Sequence, residues 1–174
     1  MSSSSRYGLV PSSSSPPPHV FTVSFIKNQF GDSTPSISAK SQKFTSCEDL
    51  KNTQYLEKLD LSNNYISNIS PILYSNKLEQ LNLSGNKIPS IKGIENLKEL
   101  KLLNISNNFV EVLDPLVKCP SLRVLIANEN KISKIPLGLP LCIATIVLSG
   151  NQIESMSKLF NQRRSSEANS TKSY

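Results

Sequence analysis

The stretch Leu56-Glu57-Lys58-Leu59-Asp60-Leu61-Ser62-Asn63-Asn64-Tyr65-Ile66 reads LxxLxLxxNxI, and the pattern recurs along the chain. It returns at Leu78, Leu81, Leu83, Asn86 and Ile88, and again at Leu100, Leu103, Ile105, Asn108 and Val110. Two further copies hold Leu122, Leu125, Ala127, Asn130 and Ile132, then Ile143, Ile146, Leu148, Asn151 and Ile153. The copies start at 56, 78, 100, 122 and 143, in steps of 22, 22, 22 and 21 residues. One step before Leu56 lands on Thr34. From there Ile37, Ala39, Gln42 and Phe44 fill the pattern, with Gln42 in place of the asparagine, so 34–55 reads as a degenerate copy. A repeat of this length cannot bury its apolar side alone, so stacked neighbours must supply the core.

Within each copy the LxL segment alternates, which predicts a short strand with leucines on one face and the intervening residues on the other. Stacked copies then make a parallel sheet. The asparagines Asn64, Asn86, Asn108, Asn130 and Asn151 form a structural ladder, whose amides satisfy backbone groups where the chain leaves the sheet. After each asparagine the apolar spacing changes to three, as in Ile88, Ile91, Ile94 and Leu97. That spacing suits a 3-10 or short helical turn. Cys119 falls in one of these core slots and reads as a buried, inert thiol.

These motifs resemble the leucine-rich repeat superfamily over residues 56–156. The resemblance implies an α/β leucine-rich repeat solenoid, or horseshoe. A short parallel β-sheet would line its concave face, and 3-10 or short helical turns its convex face. The 22-residue period and Gly93-Ile94-Glu95-Asn96-Leu97 are similar to the intracellular subclass that includes phosphatase-regulatory subunits. Spliceosomal A-prime-type proteins, axonemal dynein light chains and ciliary proteins share that subclass. Its usual C-terminal cap, with a Tyr-Arg pair and a final Leu-Asp-Gly, has no counterpart after Asn151.

The flanks have a different composition. Residues 1–19 are nearly all Ser and Pro and read as a disordered leader. Residues 20–33 read as an N-terminal capping strand, because Phe21, Val23 and Phe25 alternate with Thr22 and Ser24. The repeat domain then runs over 34–160, divided at 34–55, 56–77, 78–99, 100–121, 122–142 and 143–160. A basic, disordered tail over 161–174 follows.

The whole chain has 174 residues and a formal charge of +6, but the excess is uneven. Residues 1–55 carry +2, 56–157 carry +1 and 158–174 carry +3. A nearly neutral repeat domain lacks the concentrated basic face that grips nucleic acid, which leaves only the tail for such contact. No run approaches the ~20 apolar residues of a membrane helix, and the first residues lack the apolar core of a secretion signal. Three scattered cysteines, Cys47, Cys119 and Cys142, suggest a reducing compartment, cytoplasmic or nuclear.

No catalytic constellation is evident. His19 is the single histidine, and there is no Gly-rich phosphate loop or GxSxG elbow. No cofactor or metal is expected. The informative surface is the outward face of the strands. Its first copies present Glu57, Lys58, Asp60, Glu79, Gln80 and Asn82, whereas the later ones present Leu102, Val124, Ile126 and Val147. Those four fall on adjacent strands and form a candidate partner-binding patch, rimmed by Lys101 and Arg123 and framed by Phe109. The other reading is that the tail folds over the patch or that it tolerates water. The functional expectation is a non-catalytic protein-interaction scaffold or regulatory subunit, partnered by a phosphatase or a cytoskeletal or ciliary assembly. The alternatives are a ribonucleoprotein subunit of the spliceosomal A-prime type, or a fragment of a longer repeat protein.

Overall fold

A computed structural model describes residues 19–20, 35–48, 50 and 53–153. Its central element is a six-stranded parallel sheet whose strands follow chain order. The strands are β2 (Ser36–Ser38), β4 (Lys58–Asp60), β5 (Gln80–Asn82), β6 (Leu102–Asn104), β7 (Val124–Ile126) and β8 (Thr145–Val147). Each is three residues long because only the LxL portion of the repeat alternates. The register follows the sequence period: Ile37 pairs with Leu59, Leu59 with Leu81, Leu81 with Leu103, Leu103 with Leu125 and Leu125 with Ile146. The degenerate copy at 34–55 therefore enters the sheet as a full member.

The central residue of each strand points into the core. Leu59, Leu81, Leu103 and Leu125 are buried, and each such side chain contributes roughly 1.5–3 kcal/mol. The outer turns bury Ile66, Ile69, Ile72, Ile88, Ile91, Ile94, Leu97, Val110, Leu113, Leu116 and Cys119 against them. The period-three stretches do form 3-10 turns, at Ser70–Tyr74, Ile94–Asn96 and Asp114–Lys118. The fourth copy, one residue shorter, has no such turn, and Ile135, Leu137 and Leu141 are exposed there.

The first end of the stack carries a pairing that the repeat pattern does not announce. Strand β1 (His19–Val20) runs parallel to β3 (Phe44–Ser46) in a separate two-stranded sheet. Of the expected capping strand 20–33 only Val20 is described, and it pairs with β3 on the outer path of the first copy and not with the edge of β2. His19, the last residue of the expected disordered leader 1–19, is in strand β1, because its backbone pairs with Phe44. Residues 1–18, 21–33 and 161–174 lie outside the described residues.

The asparagine ladder turns the chain out of every strand. Asn108 Nδ2 donates to the carbonyls of Leu83 (3.0 Å), Ile105 (3.0 Å) and Ser106 (3.1 Å), while its Oδ1 accepts the Ile88 N–H at 2.9 Å. Asn86, Asn130 and Asn151 repeat this arrangement, accepting from Ile66, Val110 and Ile132. Where Gln42 replaces the first asparagine, Asn64 Oδ1 accepts from both Gln42 N (3.1 Å) and Phe44 N (3.0 Å). Among the described residues no buried side-chain polar atom lacks a partner.

Candidate functional site on the concave sheet

The outward residues at the end of each strand divide the sheet in two. In the first half they are polar and hold the following turn. Asp60 Oδ1 accepts from the Ser62 backbone (3.0 Å) and hydroxyl (2.7 Å). Asn82 Oδ1 does the same for Ser84, at 3.1 and 2.9 Å, and Asn104 Oδ1 accepts the Ser106 N–H at 3.1 Å. This Asx-type contact supplies a local acceptor to a backbone that is leaving the sheet. The recurring pairs Asp60/Ser62, Asn82/Ser84 and Asn104/Ser106 are the sequence signal for it, which the leucine pattern overshadows.

Asp60 also accepts from Asn82 Nδ2 at 3.0 Å and pairs with Lys40 Nζ at 3.2 Å. Partial burial acts to raise the carboxyl pKa. The Ser62, Lys40 and Asn82 donors outweigh it and hold the group below its ordinary value.

In the second half the cap is abandoned. Ile126 and Val147 occupy the positions of Asp60, Asn82 and Asn104 and have no acceptor to offer. The turn is held from the neighbouring repeats instead: Ser106 Oγ accepts the Asn128 N–H at 3.2 Å, and Asn128 Oδ1 accepts the Ser149 N–H at 3.0 Å. A local structural device gives way here to apolar side chains facing outward.

The register brings the four predicted apolar residues together. Leu102 is paired with Val124, and Ile126 with Val147. The pairs lie two residues apart along the strands, on the same outward face. All four are half-buried, each shielded by its neighbours ~4.8 Å away across the sheet.

At the start of the strands, Lys101 and Arg123 are stacked, with the Arg123 N–H donating to the Lys101 carbonyl at 2.9 Å. Lys101 Nζ pairs with Glu79 Oε1 at 2.7 Å, so its charge is partly matched, whereas Arg123 is exposed. Phe109 takes a different place. It lies beyond the ladder on the turn leaving the sheet, 47% exposed, with Lys131 Nζ 5.3 Å from its ring centroid. Tyr65 and Lys87 make the same pair two repeats earlier, at 4.9 Å. These are cation–π contacts along an edge of the solenoid.

Among the described residues the outward strand positions form an open sheet surface and not the partly dry pocket that acid–base chemistry uses. Among the described residues no cluster of His, Cys, Asp or Glu could hold a metal, and no helix is long and apolar enough to cross a membrane. Two thiols are buried and unreactive in kind: desolvation, with Glu48 nearby, pushes Cys47 up to about 12, and desolvation pushes Cys119 up to about 11. Cys142 is exposed.

The family model for leucine-rich repeats (two copies) matches twice, over residues 54–98 and 98–140, half of the chain. The chain belongs to the leucine-rich repeat family, whose members generally present their sheet surface to protein partners. No curated protein matches it. Among solved structures it is similar to an internalin, InlF, of Listeria monocytogenes, with 27% identity and a TM-score of 0.62. The match covers 67% of this chain and 35% of the internalin. A leucine-rich repeat protein of Leptospira interrogans shares the fold, with 19% identity, a TM-score of 0.61, and coverage of 76% of this chain and 47% of that one. The chain thus spans less than half the length of either matched chain.

Proposed function

We propose that this protein is a non-catalytic interaction scaffold or regulatory subunit, and that its partner lies across the concave sheet on Leu102, Val124, Ile126 and Val147. The observation that carries this reading is the registered pairing of Leu102 with Val124 and of Ile126 with Val147, which gathers four apolar side chains on one open face. Such a cluster, bordered by charge, has the anatomy of an interface centre. Arg123 and the partly matched Lys101 favour a partner segment that carries acidic residues beside an apolar anchor. The three free thiols, Cys47, Cys119 and Cys142, support placement in a reducing compartment, cytoplasm or nucleus.

The test is a quantitative pull-down from native extract with three folded proteins: the wild type, Leu102→Glu/Ile126→Glu, and Val112→Glu, a control at an exposed position outside the sheet. The expected result is one stoichiometric partner held by the wild type and by Val112→Glu, and lost from the double variant. Retention by the double variant would remove the concave patch as the site.

A further inference from the structure

The last strand of the sheet is unlike the others. Ile146 occupies the core position of Leu59, Leu81, Leu103 and Leu125, which are 0–2% exposed, yet it is 39% exposed itself. Its backbone is also open. Thr145 N–H donates to Arg123 O (3.1 Å), and Ala127 N–H donates to Val147 O (2.8 Å), so Thr145 and Val147 turn their peptide groups toward β7. In a parallel pair the intervening residue turns both of its groups the other way, so Ile146 N–H and C=O point out of the sheet.

The flanking groups follow the repeat. Ala39, Leu61, Leu83, Ile105 and Ala127 each donate to the next strand, and the carbonyls of Pro35, Glu57, Glu79, Lys101 and Arg123 each accept from it. Their counterparts are Leu148 N–H and Ala144 C=O. Among the described residues neither has a next strand to meet.

We propose that this edge is a self-association surface on which two copies of the chain join β8 to β8, antiparallel, about a twofold axis through Ile146. The pairing is fixed by the groups that are free. Ile146 of each copy donates its N–H to, and accepts from, Ile146 of the other. Leu148 N–H of each donates to the Ala144 carbonyl of the other. Four backbone hydrogen bonds close the edge, and the two Ile146 side chains cover each other's exposed surface on the core side. The two sheets become one continuous surface.

Three observations favour a second copy as the occupant. The free donors and acceptors are symmetric about Ile146, as a twofold requires. The segment 135–153 contains no charged residue, within a chain of net charge +6 whose copies repel elsewhere. Natural edge strands are guarded by lysine, proline or a bulge, and Thr145-Ile146-Val147 has none of these. The proposal is independent of what the concave patch binds, and its test uses purified protein alone.

The antiparallel register sets Thr145 of one copy opposite Val147 of the other, twice, on the outward face. Analytical ultracentrifugation of the full 174-residue chain over micromolar concentrations should show a reversible monomer–dimer equilibrium. Thr145→Glu/Val147→Glu places like charges opposite each other and should raise the dimer Kd at least tenfold. Thr145→Glu/Val147→Lys places opposite charges there and should restore dimerisation to within a few-fold of the wild type. Hydrogen exchange on the wild type, which needs no variant, should show the Ile146 and Leu148 amides slowing as concentration rises. A wild type that stays monomeric, assembles beyond a dimer, or dimerises without protecting those two amides overturns the proposal. Failure of the charge pair to distinguish Val147→Glu from Val147→Lys overturns the register.

Discussion

Ser106 Oγ lies 3.2 Å from the backbone nitrogen of Asn128 and accepts its N–H across a separation of 22 residues. It does for Asn128 what Asp60, Asn82 and Asn104 do locally for the serines that follow them. The substitution Ile126→Asn should therefore be tolerated by the fold. It restores a local acceptor worth ~1 kcal/mol and gives up a half-buried side chain of similar worth. Urea unfolding should place the variant within about 1 kcal/mol of the wild type, while partner capture through the patch falls sharply. A loss of stability as large as the loss of capture would mean that Ile126 acts through the stability of the sheet and not as a contact.

The ladder asparagines should differ in importance with their position. Asn108 is buried and holds four backbone groups, so Asn108→Ala should cost about 3 kcal/mol or more through unsatisfied buried partners. Asn151, in the last described copy, is only half-buried and should cost about 1 kcal/mol when replaced by Ala. Chemical denaturation of both variants checks the gradient, and equal losses would contradict it.

Gly93 and Gly138 both have positive φ, +96° and +85°, but their surroundings differ. A Cβ at Gly93 would collide with Leu73 Cδ1, whereas at Gly138 the nearest neighbour, Val117 Cγ1, is 3.7 Å away. Gly138→Ala should thus cost about 1 kcal/mol from backbone strain alone, and Gly93→Ala a further 1–2 kcal/mol or so for the displaced leucine. Thermal melts of the two variants should separate clearly.

The thiols give a pH signature. One thiol, Cys142, should react with a disulfide reagent in the native protein, and three should react in denaturant. Cys47 and Cys119 have native pKa values of about 12 and about 11 against an ordinary 9.0. The native state keeps protons that the unfolded chain releases. The resulting stability is present below pH ~9 and is lost as pH rises through the native values, by up to ~1.4 kcal/mol per pH unit for each thiol. Replacing both by Ala should flatten the alkaline limb of a stability-against-pH curve.

The strands and ladder could be read from sequence because stacking forces the same chemistry at the same step. Leu59 meets Ile37 one step before it and Leu81 one step after, so periodicity reports contact directly. The pairing of Leu102 with Val124 and of Ile126 with Val147 follows from the same step, because register follows from the period. The β1–β3 pairing was not readable, since His19–Val20 lies outside the period and its partner strand uses an outer-path segment. Phe109 was placed near the patch by proximity in sequence, but its ring belongs to the next repeat's Lys131 on the edge. The backbone turn after the ladder decides that, and periodicity carries no information about it.

Each ladder asparagine serves the copy before its own. Asn86 accepts from Ile66 and donates to Leu61, and Asn108 does the same for Ile88 and Leu83. The turn of one copy is therefore completed by the asparagine of its successor. During synthesis, when the chain emerges from its N-terminus, the boundary of finished structure should trail the growing end by about one repeat. A chain folding as it is made should then assemble as a directional queue, each unit locked when the next arrives.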